Sequence, residues 1–332
     1  ALLHYYSDYG DNAALSAASD ALSRLYLSGL RDSVMGGYFR YAEDDALQKP
    51  QFEKLLNVQA EMLSANALAY AATNKYMFKE AAQDVMVFIR DTFEAPDTGG
   101  FYSSQEADLG PGDNGSYFTW TEEEIRKIVG DRTAANVFIR YFNIDKGRGG
   151  RAVPYPTAKM QSVADALGIS RTEGIRHLDN VQQLLHDARM SQEAPYVNKT
   201  MIAAWNSAMI IAYLDVYRYL GDTEARDFAL KSANFLMQNM LSPEKGVART
   251  LYKNQASGYG FLEDQVRFAE ALLHCHEVSD QHEYLETATR LMEMVEARYL
   301  DPATGLYVDR IDTEPVGLLE VKSRTVLAPA LR

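Results

Sequence analysis

Between residues 51 and 73, Phe52, Leu55, Leu56, Met62, Leu63, Ala67 and Tyr70 recur at spacings of three and four, which predicts a helix with one apolar stripe. Residues 75 to 94 repeat the pattern with Phe78, Ala81, Ala82, Val85, Phe88, Ile89 and Phe93. Only the turn around Asn74 separates the two stretches, so they are expected to pack antiparallel as a helical hairpin. The unit recurs at 199 to 220 with 222 to 241, split by Gly221, and at 261 to 279 with 281 to 300, split near Asp280.

Each hairpin ends in similar turn chemistry: Asp97-Thr98-Gly99-Gly100-Phe101-Tyr102, Pro243-Glu244-Lys245-Gly246-Val247 and Asp301-Pro302-Ala303-Thr304-Gly305-Leu306-Tyr307. A fourth copy, Met35-Gly36-Gly37-Tyr38-Phe39, follows a helix expected at about 13 to 30. In all four, glycine ends a helix and a short extended piece follows. Hairpins that each leave an apolar stripe uncovered need neighbours, which points to an all-α closed ring or solenoid. The middle of the chain departs from the pattern. Thr121-Glu122-Glu123-Glu124 and Ser170-Arg171-Thr172-Glu173 read as capping boxes, and Gly147, Gly149, Gly150, Pro154 and Pro156 mark a long excursion. Because the hairpins resume afterwards, the expectation is one domain over 1–332 with an insertion at about 103–165, and a split near residue 165 is the alternative.

Charge narrows the partners. A net charge of −13, with no contiguous basic run, argues against a nucleic-acid footprint. The single cysteine, Cys275, excludes an intrachain disulfide and a CxxC site. No apolar run is long enough for a transmembrane helix and Ala1 opens without a basic leader, so neither a membrane nor a targeting role is expected, and a cytoplasmic setting fits. The missing initiator methionine suggests trimming from a longer chain. His274 and His276 lie two apart on different helix faces, and HExxH, P-loop, GxGxxG and GxSxG motifs are all missing, so no metal and no cofactor is expected.

Where hairpin turns and helix N-termini gather at one end of a ring, polar clusters from distant positions converge. Four clusters stand out: Arg40-Tyr41, Phe52-Glu53 with Asn57 and Gln59, Glu106-Ala107-Asp108, and Glu263-Asp264 after Gly260-Phe261-Leu262. Tyr102, Trp120, Trp205 and Asn206 accompany them. Carboxylates and amides grip hydroxyl groups, aromatic faces cover a pyranose ring, and paired carboxylates do acid and base work. Each has a plain structural alternative: Glu53 as an ion-pair partner, Trp205 as core beside Met209, Glu106 and Asp108 as loop caps, and Glu263 and Asp264 as acids favoured by a helix dipole.

Taken together, Gly36-Gly37-Tyr38-Phe39-Arg40-Tyr41, Pro50-Gln51-Phe52-Glu53-Lys54-Leu55-Leu56, Gly99-Gly100-Phe101-Tyr102-Ser103 through Ala107-Asp108, Tyr117-Phe118-Thr119-Trp120-Thr121, Ala204-Trp205-Asn206 and Gly260-Phe261-Leu262-Glu263-Asp264 resemble the YyaL and spermatogenesis-associated protein 20 family, in order and spacing. The resemblance implies an (α/α)6 toroid of the six-hairpin glycosidase kind, similar to N-acylglucosamine 2-epimerases. In longer members a thioredoxin-like domain precedes it. Here the first toroid helix is expected to be represented only by its end at Leu2 to Tyr6, and the ring to be incomplete, or closed by another segment, after Glu320-Val321-Lys322-Ser323-Arg324.

Departures bear on chemistry. The family's histidine before Phe-Glu-Lys is Gln51 here, which cannot exchange protons. The acidic pair upstream of Trp-Asn reads Asn198-Lys199-Thr200, and the Glu-Asp-Ala-Asp segment reads Gln105-Glu106-Ala107-Asp108. Three readings follow. The first is a sugar epimerase or isomerase with Glu53, Glu106, Asp108, Glu263 and Asp264 as acid, base or hydroxyl-binding groups. The second is a glycoside hydrolase, and the third a non-catalytic sugar-binding or interaction domain.

Overall fold

The apolar stripes become helices whose ends fall close to the expected turns. A computed structural model describes residues 1–142, 144, 150–311 and 325–326. Gly147, Gly149 and the segment from Glu320 to Arg324 lie outside the described residues. The described residues divide into two compact units, residues 1–92 with 104–197, and residues 93–103 with those from 198 onward.

In the first unit, α1 (Leu2–Tyr9) and α2 (Asn12–Tyr26) precede the hairpin of α3 (Leu56–Thr73) and α4 (Tyr76–Phe88). The start of the chain is therefore a helix of its own, longer than the Leu2 to Tyr6 fragment expected. Asp11 caps α2 by accepting from the N–H groups of Ala13 and Ala14. Asn74 takes the left-handed conformation that ends α3. The middle of the chain supplies four more helices, α5 (Glu122–Val129), α6 (Arg132–Phe142), α7 (Met160–Leu167) and α8 (Arg171–Met190). Both predicted capping boxes are present, Thr121 with Glu124 and Ser170 with Glu173. The core here joins Phe39, Phe118, Trp120, Ile125, Phe138 and Leu185.

The second unit holds the hairpins of α9 (Ala203–Leu220) with α10 (Thr223–Asn239), and α11 (Leu262–Ser279) with α12 (His282–Tyr299). Phe101, Tyr213 and Phe228 form an aromatic cluster with centroids 5.0–6.1 Å apart. Leu262, Val295 and Tyr299 make a second cluster with Tyr307 and Val308. Cys275 is fully buried, and burial pushes its thiol up to about 12, so it packs as a small apolar side chain.

The repeated Gly turns share one device. Gln59, Asn206 and Gln265 each occupy the fourth position of their helix, in α3, α9 and α11. The Gln59 amide accepts from the Tyr38 N–H at 2.8 Å and donates to the Tyr38 carbonyl at 2.6 Å. Asn206 does the same to Phe101, at 2.7 and 3.0 Å, and Gln265 to Val247, at 2.7 and 2.9 Å. Each clamped residue follows a glycine with positive φ, at Gly37, Gly100 and Gly246, and a β-carbon at Gly37 would stand 2.9 Å from the Gln59 oxygen. The turn is thus pinned to the first turn of its helix by a side chain that satisfies two otherwise orphaned backbone groups.

Candidate functional site

In the second unit, the start of α9 and the start of α11 are tied together by acid chemistry. Residues 250–252 and 255–257 form a β-hairpin that also pairs with Met201–Ile202, and the Arg249 carbonyl accepts the Ala203 N–H at 2.9 Å. This plants Arg249 beside the first turn of α9. Neither α9 nor α11 has a side-chain cap from its own N-cap residue. Asp264, on α11, supplies one across the gap by accepting the Ala204 N–H at 3.1 Å.

The Arg249 guanidinium bridges the two acids, with Nη1 at 3.3 Å from Asp264 Oδ2 and Nη2 at 3.8 Å from Glu263 Oε2. It also lies 4.5 Å from the centroid of the Phe261 ring, which the Arg310 guanidinium approaches to 5.3 Å. Exposure grades outward, from 0% for the Asp264 side chain through 35% for Arg249 to 57% for Glu263. Burial pushes the Asp264 carboxyl up to about 6, against the opposing pull of Arg249. A carboxyl poised there both gives and takes protons near neutrality, and a partly exposed guanidinium beside it holds developing negative charge on oxygen. Trp205, the neighbour of Ala204, is half-buried rather than sealed in the core. Tyr102 is also half-buried, 5.6 Å from the Lys199 ammonium.

The remaining candidates of this unit divide differently. Asn206 is fully buried and both ends of its amide are engaged by the Phe101 backbone, so a substrate-binding role is replaced by the turn clamp. Among the candidates here, Glu263 and Asp264 come together around Arg249, and Trp205 follows Ala204, whose N–H Asp264 accepts.

The first unit gathers the other candidates. Arg40 and Glu53 pair at 2.7 Å across the strands that set Tyr41 opposite Gln51, with the Arg40 side chain 51% exposed. Phe52 stacks on Phe118 with ring centroids 5.6 Å apart and meets Phe39 edge-on at 5.2 Å, so it packs rather than lining a cavity. Gln59 is sealed by its clamp, and Trp120 is 3% exposed in the core, with the Arg189 guanidinium 5.3 Å from its ring. These two amide and indole groups face the protein interior, where their residue types suggested sugar-binding groups. Asp108 accepts the Gly115 N–H at 3.2 Å and serves as a loop cap, and Glu106 is exposed. Asn57 is half-buried, and its buried Oδ1 has no hydrogen-bond partner among the described residues.

Two features escaped the sequence reading. Arg249 carries no motif of its own; its position two residues after the clamped Val247 is the only cue. The other is a sealed charge cluster in the first unit. Asp32 accepts from Lys54 Nζ at 2.9 Å and from Arg189 Nη1 at 2.7 and 2.9 Å, and the Lys54 and Arg189 side chains are 0% exposed. Burial alone would raise the Asp32 carboxyl, but the Arg189 and Lys54 charges outweigh it and hold it well below the usual carboxylate range. Burial pulls Lys54 down to about 8 despite Asp32.

No family model matches the chain. Spermatogenesis-associated protein 20 of Homo sapiens is 25% identical over 341 residues, covering 92% of this chain and 43% of that protein. The two are homologues. The chain thus spans less than half the length of the curated relatives it matches. Among solved structures, the GH76 alpha-mannanase of Bacteroides thetaiotaomicron superposes with a TM-score of 0.57 at 12% identity, over 97% of this chain and 62% of that one. The cellobiose 2-epimerase of Spirochaeta thermophila superposes with a TM-score of 0.51 at 11% identity, over 87% and 56%. The chain therefore has the mostly helical six-hairpin, toroid-type fold of these carbohydrate-active proteins, and such a fold serves more than one chemistry. Among the described residues, no helix is long and apolar enough to cross a membrane.

Proposed function

We propose that this domain binds a carbohydrate and acts on it as an epimerase- or isomerase-like enzyme, with Asp264 as the proton-transferring group. The reading keeps the chain as one domain with an insertion at about 103–165, working in the cytoplasm. What carries it is the buried Asp264 carboxyl, pushed up to about 6 and flanked by the half-open Arg249 and Glu263. Epimerisation and isomerisation both move a proton beside a sugar carbonyl, which asks for one group that exchanges protons near neutrality and one cation to hold the enolate oxygen. Asp264 supplies the first and Arg249 the second, Glu263 tunes Arg249 from the solvent side, and Trp205 offers a ring face to the sugar. Gln51 takes no part in proton transfer on this reading.

The alternative, a glycoside hydrolase, asks for two carboxylates about 5 to 10 Å apart across a bound sugar. Glu263 and Asp264 are adjacent in the first turn of α11 and share one arginine, an arrangement better suited to one proton site than to two opposed ones. The non-catalytic reading shares the same fold and is separated by assay.

The test is thermal unfolding against mono- and disaccharides and their phosphates, followed by NMR assays of epimerisation, isomerisation and hydrolysis with any sugar that shifts the transition. A shift and a turnover that both disappear in Asp264→Asn support the proposal. A shift that survives Asp264→Asn without any turnover moves the domain to the binding class, and hydrolysis alone moves it to the glycosidases.

A further inference from the structure

The first unit contains a polar cleft of about 310 Å³, separate from the Asp264 site. Its floor is the turn that includes Ser33, Val34 and Met35, one wall is α4 with Glu80, Asp84 and Val87, and the other is α8 with Asp179. Asp84 is ion-paired to the buried Arg31, which is the only cationic side chain lining the cleft besides His186. Glu80 accepts a hydrogen bond from Tyr26 and shares the Arg31 charge with Asp84, whereas Asp179 is shifted by burial alone, so one cation serves several acids. Burial raises both carboxyls; at Glu80 it outweighs the Tyr26 hydrogen bond and the Arg31 charge, which pull the other way, and the Asp84 and Asp179 charges add to the rise.

A second observation points to a missing ligand. Ser33 is only 4% exposed, and its Oγ has no hydrogen-bond partner among the described residues. Buried hydroxyls are ordinarily satisfied, so an unmet one in the wall of a charged cleft marks a place for a donor. Among the described residues no group of three His, Cys, Asp or Glu side chains is arranged to hold a metal ion. The apolar side chains of Val34, Met35 and Val87 favour methylene groups over a hydrated ion.

We propose that this cleft binds a small alkylammonium ligand, with Glu80 and Asp179 facing the ammonium, Ser33 Oγ accepting from it, and Val34, Met35 and Val87 covering the carbon chain. The size admits a short diamine, at the lower end of volumes that hold small molecules.

Titration calorimetry of the full chain with 1,4-diaminobutane tests this, with 1,4-butanediol as the neutral counterpart. Saturable binding of the diamine is expected, with none for the diol. Affinity should fall about tenfold in Asp179→Asn and in Glu80→Gln, as for loss of a hydrogen bond to a charged group. Glu123→Gln, an exposed carboxylate on α5, should leave it unchanged. Asp179 is exposed on α8, so its variant keeps the fold and decides the matter even where Glu80→Gln unfolds. Absence of saturable heat, equal binding of the diol, or full affinity in Asp179→Asn overturns the proposal.

Discussion

The two units each bury an aspartate, and they treat it in opposite ways. In the first, Asp32 meets two cations, Lys54 and Arg189, both fully enclosed, and its carboxyl is driven down. In the second, Asp264 meets one arginine that is 35% exposed, and its carboxyl is driven up to about 6. Burial acts alike on both, so the count and placement of the partners decide the outcome. An overcompensated, sealed acid is a structural rivet. An undercompensated acid, equally enclosed but with a partner partly open to solvent, keeps its proton closer to neutrality.

Four measurements probe that contrast, starting with the largest effect. Asp32→Asn leaves two enclosed cations without a counter-charge and should destabilise the protein by roughly 3–5 kcal/mol in urea unfolding. A loss under about 1 kcal/mol would remove the rivet reading. The next is the pH dependence at Asp264. A folded value of about 6 against 3.8 unfolded means that the folded state binds the proton more tightly. Stability through this group is therefore full below pH 3.8 and is lost as pH rises through about 6. The cost reaches about 3 kcal/mol by neutrality, and Asp264→Asn does not incur it. The stability difference between variant and wild type should move in favour of the variant between acid and neutral pH, and a pH-independent difference would make Asp264 an ordinary carboxylate.

Third, Gln59→Met and Gln265→Met keep side-chain volume but release the clamped N–H and carbonyl of Tyr38 and Val247. Each should cost about 2 kcal/mol, read by thermal unfolding, since each leaves buried backbone groups unsatisfied. Unequal costs would show that the clamp matters more in one unit. The smallest effect belongs to Arg40→Ala. Its ion pair with Glu53 is half in solvent, so stability should change by less than about 1 kcal/mol. A larger loss of sugar-induced thermal shift than of stability would return the Arg40–Glu53 pair to the binding surface.

Much of the fold was legible because its signals are local. Stripes at spacings of three and four, Asn74 and Gly221 as left-handed helix ends, and the two capping boxes are each written within one turn of helix. Less of the site was legible. Gln59 and Asn206 have the residue type that grips hydroxyl groups, and their partners turned out to be backbone groups 21 and 105 residues away. Trp120 has the type that stacks on sugars and is enclosed instead. Trp205 reads as core from its stripe but is left half-open, and Arg249 matched no pattern at all.

By itself, the order of residues determined a mostly helical chain of repeated hairpins, the glycine turns that end them, and the kinship that the homologues bear out. Helix period, capping and turn chemistry depend on neighbours a few residues apart, and those neighbours are in the sequence. Only the tertiary structure decided which buried acid is held charged and which keeps its proton toward neutrality, because a carboxyl's proton affinity depends on the water removed around it and on the charges that folding brings near. For Asp32 those are Lys54 and Arg189, and for Asp264 they are Arg249 and Glu263.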